Sequence, residues 1–145
     1  MSRAFIVEAD GGSRGNPGPA AGGAVVIDGA SGELLAEIGA HVGIATNNVA
    51  EYQGMIAGVG AAFERDAAAS ILVHMDSKLV VEQMSGRWKI KHPDMQALAR
   101  AAHELIAGRD VRFVWVPRAE NARADAMVNA ALDAGESFRR DYDHT

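Results

Sequence analysis

Four acidic residues stand where a strand or a loop gives way to a turn or a helix. Asp10 ends an apolar run and is followed by glycines, and Glu51 lies near the start of a long segment rich in small residues. Asp76 closes a second apolar run, and Asp125 follows the last one. Converging carboxylates, without Cys or closely spaced His, are the oxygen ligands that hard divalent cations prefer. The pattern predicts a magnesium-dependent site for phosphoryl transfer.

Each acid, taken singly, also has an ordinary structural explanation. Glu51 lies three residues after Asn48, as in a capping box, and Asp10 precedes two glycines, as in a turn. Asp76 would cap a following helix, and Asp125 would favour the positive end of another. The residues around the four acids, taken together, favour a shared site instead.

Those surrounding residues resemble the motifs of the type 1 ribonuclease H family. The blocks follow the family's order: Asp10-Gly11-Gly12-Ser13 with Gly15-Asn16-Pro17-Gly18, Thr46-Asn47-Asn48 with Glu51, Asp76-Ser77, and Val116-Pro117-Arg118 with Asn121, Ala124 and Asp125. One short motif is weak, but four in register over about nine-tenths of the chain are specific. The resemblance implies a metal-dependent endonuclease that cuts the RNA strand of RNA/DNA hybrids and leaves 5′-phosphate and 3′-hydroxyl ends.

The resemblance also implies that the four acids hold two Mg²⁺ or Mn²⁺ ions. Carboxylates that meet at one site repel one another. Two divalent cations about 3.5–4 Å apart would offset this repulsion and clamp the attacking and leaving oxygens of an in-line displacement. Asp10, Glu51, Asp76 and Asp125 are therefore the expected metal ligands and catalytic residues.

Short polar residues and glycines in the same blocks are expected to bind the substrate, because hybrid recognition depends on shape, 2′-hydroxyls and phosphates. The set is Gly11, Gly12, Ser13, Asn16, Thr46, Asn47, Asn48 and Ser77. The alternatives are a plain turn at Asn16 and a helix cap at Thr46. Dual use is favoured, since a capped helix end is also an anion site. Ile44 stands where many family members carry a basic residue, which predicts modest affinity.

The segment 87–92 concentrates basic and aromatic side chains between two helical segments. By resemblance, Trp88, Lys89 and Lys91 are expected to contact the DNA strand, whereas the alternative puts Trp88 in the core. The net charge of −5 argues against binding of nucleic acid by bulk electrostatics, so a local basic surface is needed. The chain is too short for the longer basic protrusion that many family members carry here.

The loop 116–124 carries no His, although many family members have one before the final aspartate. Arg118 is the residue expected to face the scissile phosphate and to assist catalysis electrostatically. Its guanidinium stays protonated and cannot shuttle protons. The alternative is that Arg118 pairs with surface acids. His144, near the C-terminus, is the next His along the chain after this loop.

Beneath the acids, Glu8 and His74 each precede an aspartate by two residues and so share its sheet face. A hydrogen bond between them is predicted, because a buried Glu is costly unless paired. The alternative is that either side chain reaches water or bonds only to the backbone.

The 145 residues suffice for one domain, expected at 1–135, with a charged C-terminal tail or linker at 136–145. The tail is interpreted as a frayed end or as the connection to a fused or partner domain. Without Cys, a signal peptide or an apolar span, the expectations are a cytoplasmic monomer and no membrane partner.

Periodicity predicts the elements that position these residues. An antiparallel meander of three strands precedes an alternation of helices and two further strands, which predicts an α/β fold of the ribonuclease H type with a five-stranded mixed sheet flanked by helices. The strands are expected at Ala4–Asp10, Gly23–Asp28, Leu34–Val42, Ser70–Met75 and Val111–Val116, and helices at Val49–Arg65, Lys78–Ser85, from Pro93 onward and Ala122–Ala134.

Two other functions remain open on the sequence. The same carboxylate fold serves integrases and junction resolvases, which cut DNA, and a non-catalytic module could bind hybrids. The Asp-Gly-Gly-Ser and Thr-Asn-Asn blocks favour the ribonuclease, and the presence of all four acids favours an enzyme.

Overall fold

The strands of residues 3–142, the part of the chain that the computed structural model describes, form one mixed sheet. Its order is β5-β4-β1-β2-β3-β6, antiparallel from β1 through β2 and β3 to β6 and parallel from β1 through β4 to β5. This confirms the predicted meander joined to two parallel strands. The strands are β1 (Ala4–Ser13), β2 (Gly18–Asp28), β3 (Leu34–Ala45), β4 (Ser70–Met75), β5 (Val111–Trp115) and β6 (Phe138–Asp141).

Helices cover both faces of this sheet. They are α1 (Asn47–Arg65), α2 (Lys78–Met84), α3 (Pro93–Ile106) and α4 (Ala122–Ala134), with a 3₁₀ turn at Arg118–Glu120. Gly22 of β2 lies against the backbone of α1, and its neighbour Gly23 lies against the backbone of α4. Because successive strand residues point to opposite faces, α1 and α4 must lie on opposite sides of the sheet.

The main core lies between α1 and the central strands. Phe5 and Val7 share one face of β1 and are fully buried, as are Tyr52 and Met55 of α1. Full burial of an apolar side chain of this size contributes about 1.5–3 kcal/mol. The periodicity in the sequence located this core because it matches the two elements that meet there.

The sheet has six strands, so the prediction of five strands is wrong. Residues 138–141, predicted to lie in the C-terminal tail, form β6 and pair with β3 from Ala36 to Gly39. The Phe138 ring covers Gly39, where a Cβ would lie 2.3 Å from the ring. Arg139 bonds to Asp141 on its own strand and to α1. An edge strand with charged, exposed faces has no apolar alternation, which explains why its sequence did not predict a strand.

The second and third strands are longer than predicted. β2 begins at Gly18 and β3 ends at Ala45, and these two residues pair with each other. Gly and Ala have low strand propensity, but pairing across the hairpin holds them in the sheet.

Among residues 3–142, no helix is long and apolar enough to cross a membrane.

Candidate active site

The four acidic residues singled out in the sequence line one cleft. Asp10, Glu51, Asp76 and Asp125 surround a cavity of about 460 Å³ together with Arg118. They come from β1, α1, the segment after β4, and α4. Asp10 is only 8% exposed, whereas the other three are partly buried. The fold thus gathers carboxylates from four separate elements into one anionic cleft.

The parallel pairing of β1 with β4 sets two of these acids side by side. Ala9 pairs with Met75, so Asp10 and Asp76, the next residue of each strand path, follow at the same level. Trp115, the last residue of β5, pairs with Met75 at this level too. The carboxyl end of β4 therefore lies at the base of the cleft.

Close packing of α1 on β1 brings Glu51 to Asp10. A Cβ on Gly11 would lie 2.2 Å from the backbone nitrogen of Glu51 and 2.2 Å from the carbonyl carbon of Ala50. A Cβ on Gly54 would lie 2.1 Å from the carbonyl oxygen of Asp10. Both contacts are with backbone atoms, so neither position has room for a side chain. The two glycines therefore determine how near Glu51 comes to Asp10.

Placement at a helix start explains only one of the four acids. The hydroxyl of Thr46 caps α1 by accepting a backbone hydrogen bond at 3.3 Å, so Glu51 lies beyond the first turn and forms no capping box. Ser77, not Asp76, caps α2 in the same way. Asp125 does lie in the first turn of α4, where the helix dipole favours a negative charge. Neither Glu51 nor Asp76 has a capping role.

Burial and mutual repulsion make two of the carboxyl groups hard to ionise. Burial is the main reason that the pKa of Asp10 is raised from 3.8 to about 8, and the charge of Asp76 adds to it. Burial also raises the pKa of Glu51 from 4.5 to about 7, against the opposing effect of a hydrogen bond from Ser77. A bound cation would favour the ionised forms of both groups.

The chemistry of the cleft fits divalent cations. Its acidic residues supply only oxygen ligands, and Oε2 of Glu51 is buried without a hydrogen-bond partner. An unsatisfied buried carboxylate oxygen is costly, and a cation would satisfy it. Among residues 3–142, no three acidic or His side chains lie close enough to hold an ion as they are placed. The ligands are therefore gathered in one cleft, but they do not form a closed coordination shell.

Asp76 has two further contacts that the sequence did not predict. One amide N–H of Asn121 reaches Oδ1 of Asp76 at 3.0 Å, and Asn121 also donates to the carbonyl of Ala9 at 2.8 Å. The indole N–H of Trp115 donates to the carbonyl of Asp76 at 3.1 Å. Asn121 belonged to the block that carried the resemblance, but its sequence context indicated no partner for its side chain.

The predicted substrate-binding residues near the start of α1 hold one another in place. Oδ1 of Asn47 accepts hydrogen bonds from the backbone N–H and hydroxyl of Ser13, at 2.8 and 3.0 Å. Oδ1 of Asn16 accepts from the backbone N–H of Asn47 at 3.1 Å. Of this group, Ser13 and Asn47 line the cleft. Asn48 adjoins Asn47 in the first turn and is partly buried.

Two neighbouring positions differ in how much room they leave. Gly12 lines the cleft, and a Cβ there would meet only a side-chain carbon at 3.7 Å, which is ordinary contact. Packing therefore does not require glycine at position 12, in contrast to Gly11.

Ile44, near the end of β3, is 74% exposed, so the position at which many family members carry a basic residue faces solvent.

The segment with Trp88, Lys89 and Lys91 is an exposed connection between α2 and α3. Trp88 is 45% exposed, so the interpretation that places it in the core is wrong. The backbone of Lys89 accepts a hydrogen bond from the buried side chain of Gln83, which also accepts one from Tyr52. The loop is thus tied to the core through its backbone while these three side chains face solvent. None of the three belongs to the cleft within residues 3–142.

Arg118 lies in the 3₁₀ turn before α4 and lines the cleft. None of the ion pairs among residues 3–142 involves it, so the alternative of pairing with surface acids finds no support there. Its guanidinium is free to meet an anion in the cleft. His144 lies outside the described residues.

Glu8 is paired, but not with His74. The two residues are direct neighbours across β1 and β4, as predicted. The carboxylate of Glu8 instead accepts two hydrogen bonds from Arg123, at 3.1 and 2.9 Å. The guanidinium of Arg123 can donate to both carboxylate oxygens of Glu8 at once, whereas the imidazole of His74 could donate only one hydrogen bond to it. This favours Arg123 as the partner. The predicted Glu8–His74 bond is therefore corrected to a Glu8–Arg123 ion pair.

Comparison with known proteins identifies similar chains. A model of the reverse transcriptase-like family matches residues 8–131. A bifunctional protein of Mycobacterium tuberculosis is 54% identical over 130 residues, which cover 89% of this chain but 35% of that protein. Ribonuclease HI of Halobacterium salinarum is 46% identical over 125 residues, covering 86% of this chain and 62% of that protein. This chain therefore spans about a third of the length of the first relative.

Solved structures of similar chains have the same fold. The N-terminal RNase H domain of the same M. tuberculosis protein, solved as a fusion with maltose-binding protein, has a TM-score of 0.87 at 54% identity, over 92% of this chain and 96% of that one. LC11-RNase H1, isolated from compost by a metagenomic approach and solved in complex with an RNA/DNA hybrid, has a TM-score of 0.85 at 38% identity, over 90% and 98%.

Proposed function

Because the chain belongs to the type 1 ribonuclease H family, we propose that it hydrolyses the RNA strand of RNA/DNA hybrids as an endonuclease. The observation that carries this proposal is the single cleft that Asp10, Glu51, Asp76 and Asp125 share. The relative solved with a hybrid, at 38% identity, supports the choice of substrate. The proposed products carry 5′-phosphate and 3′-hydroxyl ends.

Divalent cations, Mg²⁺ or Mn²⁺, are part of this proposal, and Asp10, Glu51, Asp76 and Asp125 would hold two of them. When bound, such ions lower the pKa of a water nucleophile and stabilise the charge on the leaving oxygen. The buried, unpaired oxygen of Glu51 supports the assignment. The raised pKa values of Asp10 and Glu51 mean that the protein has more protons to release on binding an ion at pH 7 than ordinary carboxylates would.

The residues of the chain itself are proposed to bind and orient the RNA strand beside the acids. Gly12, Ser13 and Asn47 line the cleft and offer backbone and amide groups to 2′-hydroxyls. Asn16, through its bond to the backbone of Asn47, keeps that corner in place. Gly11, Thr46, Asn48 and Ser77 complete the proposed substrate-binding set. The hydrogen bonds among Ser13, Asn16 and Asn47 hold these three residues in position before any substrate arrives.

Arg118 is proposed to neutralise the phosphate that is cut. It lines the cleft with the four acids and has a guanidinium whose donors suit phosphate oxygens. Because the group stays protonated, it stabilises negative charge and transfers no proton.

The exposed segment that follows α2 is proposed to contact the DNA strand. Trp88 can pack on a deoxyribose, which lacks the 2′-hydroxyl, while Lys89 and Lys91 can meet phosphates. Their exposure supports this role. The net charge of −5 makes such local basic contacts necessary for binding a polyanion.

The activity of a longer protein is a separate proposal. The M. tuberculosis relative is called bifunctional, and only 35% of it matches this chain. We propose that the catalytic domain, expected from the sequence at residues 1–135, also includes β6, because this strand pairs with β3 in the same sheet. We propose that this domain acts by itself and as a monomer, and that a fused or partner domain, where one exists, follows β6.

A cleavage assay on matched duplexes tests the proposal. RNA/DNA, DNA/DNA and RNA/RNA duplexes of one sequence, each labelled on either strand, are incubated with Mg²⁺, with Mn²⁺ or with a chelator. The proposal expects cleavage of the RNA strand of the hybrid only, and only with metal. Cleavage of duplex DNA would support an integrase- or resolvase-like nuclease, and binding without cleavage a non-catalytic module.

Substitutions decide whether the cleft is the site. Asp10→Asn, Glu51→Gln, Asp76→Asn and Asp125→Asn should each reduce cleavage by about 10²-fold or more, since each removes a proposed ligand. Asp110→Asn is the matched control, because Asp110 pairs with Arg112 beside the edge strand β5 and does not line the cleft. Normal cleavage by Asp76→Asn would disprove the proposed site.

A further inference from the structure

Asn121 is a buried amide at the point where three parts of the candidate site meet. It lies between the 3₁₀ turn and α4 and is 1% exposed. Its Nδ2 donates to the carbonyl of Ala9 at 2.8 Å and to Oδ1 of Asp76 at 3.0 Å. Both hydrogens of this amide are therefore directed at the ends of strands β1 and β4.

The same residue also reaches the helix that carries the fourth acid. The backbone carbonyl of Asn121 accepts the N–H of Asp125 at 3.2 Å, in the first turn of α4. Ala9 directly precedes Asp10 on β1. One residue thus touches the backbone next to Asp10, the carboxylate of Asp76 and the peptide of Asp125.

The local structure of Asn121 is not the one expected from its position. An Asn before a helix ordinarily caps that helix by accepting a hydrogen bond with its side-chain oxygen. Here the side chain makes no capping bond, and its Oδ1 is buried without a partner. An amide that leaves its own acceptor unsatisfied is poorly explained by stability alone, because such an atom keeps its desolvation cost. What the side chain does achieve is contact with Asp76.

We propose that Asn121 is a positioning residue for the carboxylate site, an inference that rests on the function proposed above. By holding Oδ1 of Asp76 against β1, it selects one orientation of that carboxylate and leaves Oδ2 for a ligand. By its carbonyl, it sets where α4 begins relative to the same strands and therefore where Asp125 lies. The spacing of three site carboxylates thus depends on one neutral residue that itself meets no substrate: its side chain acts on Asp10 and Asp76, and its backbone carbonyl acts on Asp125.

Two variants and one control separate positioning from general stability. Asn121→Ala removes both donated bonds. Asn121→Ser also loses the reach to Ala9 and Asp76, but a Ser hydroxyl can cap α4 and so protects the fold. Arg123→Met is the matched control, because Arg123 fastens the same first turn of α4 to β1 through Glu8 without contacting a site carboxylate.

Three measurements are made on the whole chain: the melting temperature in chelator, Mn²⁺ binding by titration calorimetry without nucleic acid, and kcat and KM on an RNA/DNA hybrid. We expect both Asn121 variants to lower kcat and Mn²⁺ affinity by about 10–100-fold, as losses of partners that orient metal ligands do. KM should stay within about threefold of the wild type, since no group that meets the substrate is removed. Asn121→Ser should melt close to the wild type, and Arg123→Met should melt lower with nearly normal kcat and affinity.

Three results would contradict the inference about Asn121. Normal kcat and Mn²⁺ affinity in Asn121→Ser would show that Asp76 needs no such support. A raised KM with unchanged kcat would place Asn121 in substrate binding, and an equal loss in Arg123→Met would assign the effect to helix docking in general. If the wild type binds Mn²⁺ but cuts no hybrid, the proposed function fails while the calorimetry still tests Asn121.

Discussion

Arg123 and Glu8 form a two-pronged ion pair that docks α4 on β1. Nε and Nη2 of Arg123 lie 3.1 and 2.9 Å from the two carboxylate oxygens of Glu8. The Glu8 side chain is 10% exposed and that of Arg123 is 52% exposed, so the guanidinium of Arg123 lies on the solvent side of the buried Glu8 carboxylate. Glu8 and Arg123 each precede an acid of the cleft by two residues, Asp10 and Asp125. The ion pair therefore holds two of the acid-bearing elements together below the cleft.

Removing Arg123 should destabilise the protein by about 2 kcal/mol, less than the 3–5 kcal/mol of a fully buried pair, because the guanidinium is half exposed. Chemical denaturation of Arg123→Met measures this. A double-mutant cycle with Glu8→Gln should give a coupling above about 0.5 kcal/mol, whereas the cycle between Glu8→Gln and His74→Ala should give almost none. Larger coupling to His74 would contradict the observed pairing.

Without metal, the protein should lose stability as pH rises from about 4 to 8. The pKa of Asp10 is raised from 3.8 to about 8 and that of Glu51 from 4.5 to about 7. Within this window the folded state binds more protons than the unfolded state, so the free energy of unfolding falls with increasing pH. Below the window both groups are protonated in both states, and above it the full cost of ionisation is present.

Asp10→Asn isolates this effect, because the amide keeps the shape but cannot ionise. Melts in chelator should show the variant several degrees more stable than the wild type at pH 8 and close to it at pH 4. An identical pH dependence in the two proteins would show that Asp10 is not the group responsible.

Magnesium or manganese should raise the melting temperature at pH 7.5. A ligand that binds only the folded state adds about 2.7 kcal/mol at a concentration of 100 Kd, which is roughly 5–10 °C for a domain of this size. The double variant Asp10→Asn, Asp76→Asn should lose this gain, since half of the proposed ligands are gone. Differential scanning calorimetry with and without chelator measures both. Equal stabilisation of wild type and double variant would place the ions elsewhere.

Arg118→Ala should slow hybrid cleavage by about tenfold and leave the melt unchanged. Arg118 lines the cleft in an exposed 3₁₀ turn, so its loss removes a phosphate contact worth about 1–2 kcal/mol and no packing. At saturating metal, which keeps Asp10 and Glu51 ionised, the pH–rate profile should show no limb near the ordinary His pKa of about 6.5, because Arg118 cannot transfer a proton. A silent Arg118→Ala together with a sharp loss in His144→Ala would instead assign an imidazole to the reaction.

The segment after α2 should act on binding and not on the chemical step. Trp88→Ala should raise KM several-fold with kcat unchanged, and Trp88→Phe should keep most of the affinity, since a ring remains. Lys89→Ala with Lys91→Ala should reduce the salt dependence of hybrid binding by about one unit of log–log slope for each phosphate that the variant no longer neutralises. Arg112→Ala, which removes one positive charge on the edge strand β5 outside the cleft, is the control. A kcat effect without a KM effect would remove the segment from the binding surface.

The sequence alone was enough to predict the four acids, the order of the first five strands and the four helices, and the core. These features depend on short-range patterns: an apolar run, a small-residue helix, a strand that ends in Asp76. Parallel pairing of β1 with β4 then follows from the alternation of elements. The meeting of Asp10 and Asp76 could be predicted for this reason.

Other features were decided only by tertiary structure. β6 exists because Phe138 finds Gly39 and an open edge of β3, although its own residues alternate no apolar face. Trp88 is exposed because the backbone of its loop, and not the ring, is tied to Gln83. The conformation of β6 depends on β3, which is distant in the chain, and that of the loop depends on Gln83 of the preceding helix, which is itself bonded to Tyr52.

The choice of partner for polar side chains was the least predictable feature. Glu8 had His74 as its cross-strand neighbour but bonds to Arg123, and Asn121 stood in a capping position but bonds to Asp76. Local sequence shows which donors and acceptors a residue carries, whereas packing decides which of several nearby groups reaches it at hydrogen-bond distance. A buried polar group takes the partner that satisfies it best, and for Glu8 that partner lies 115 residues away along the chain.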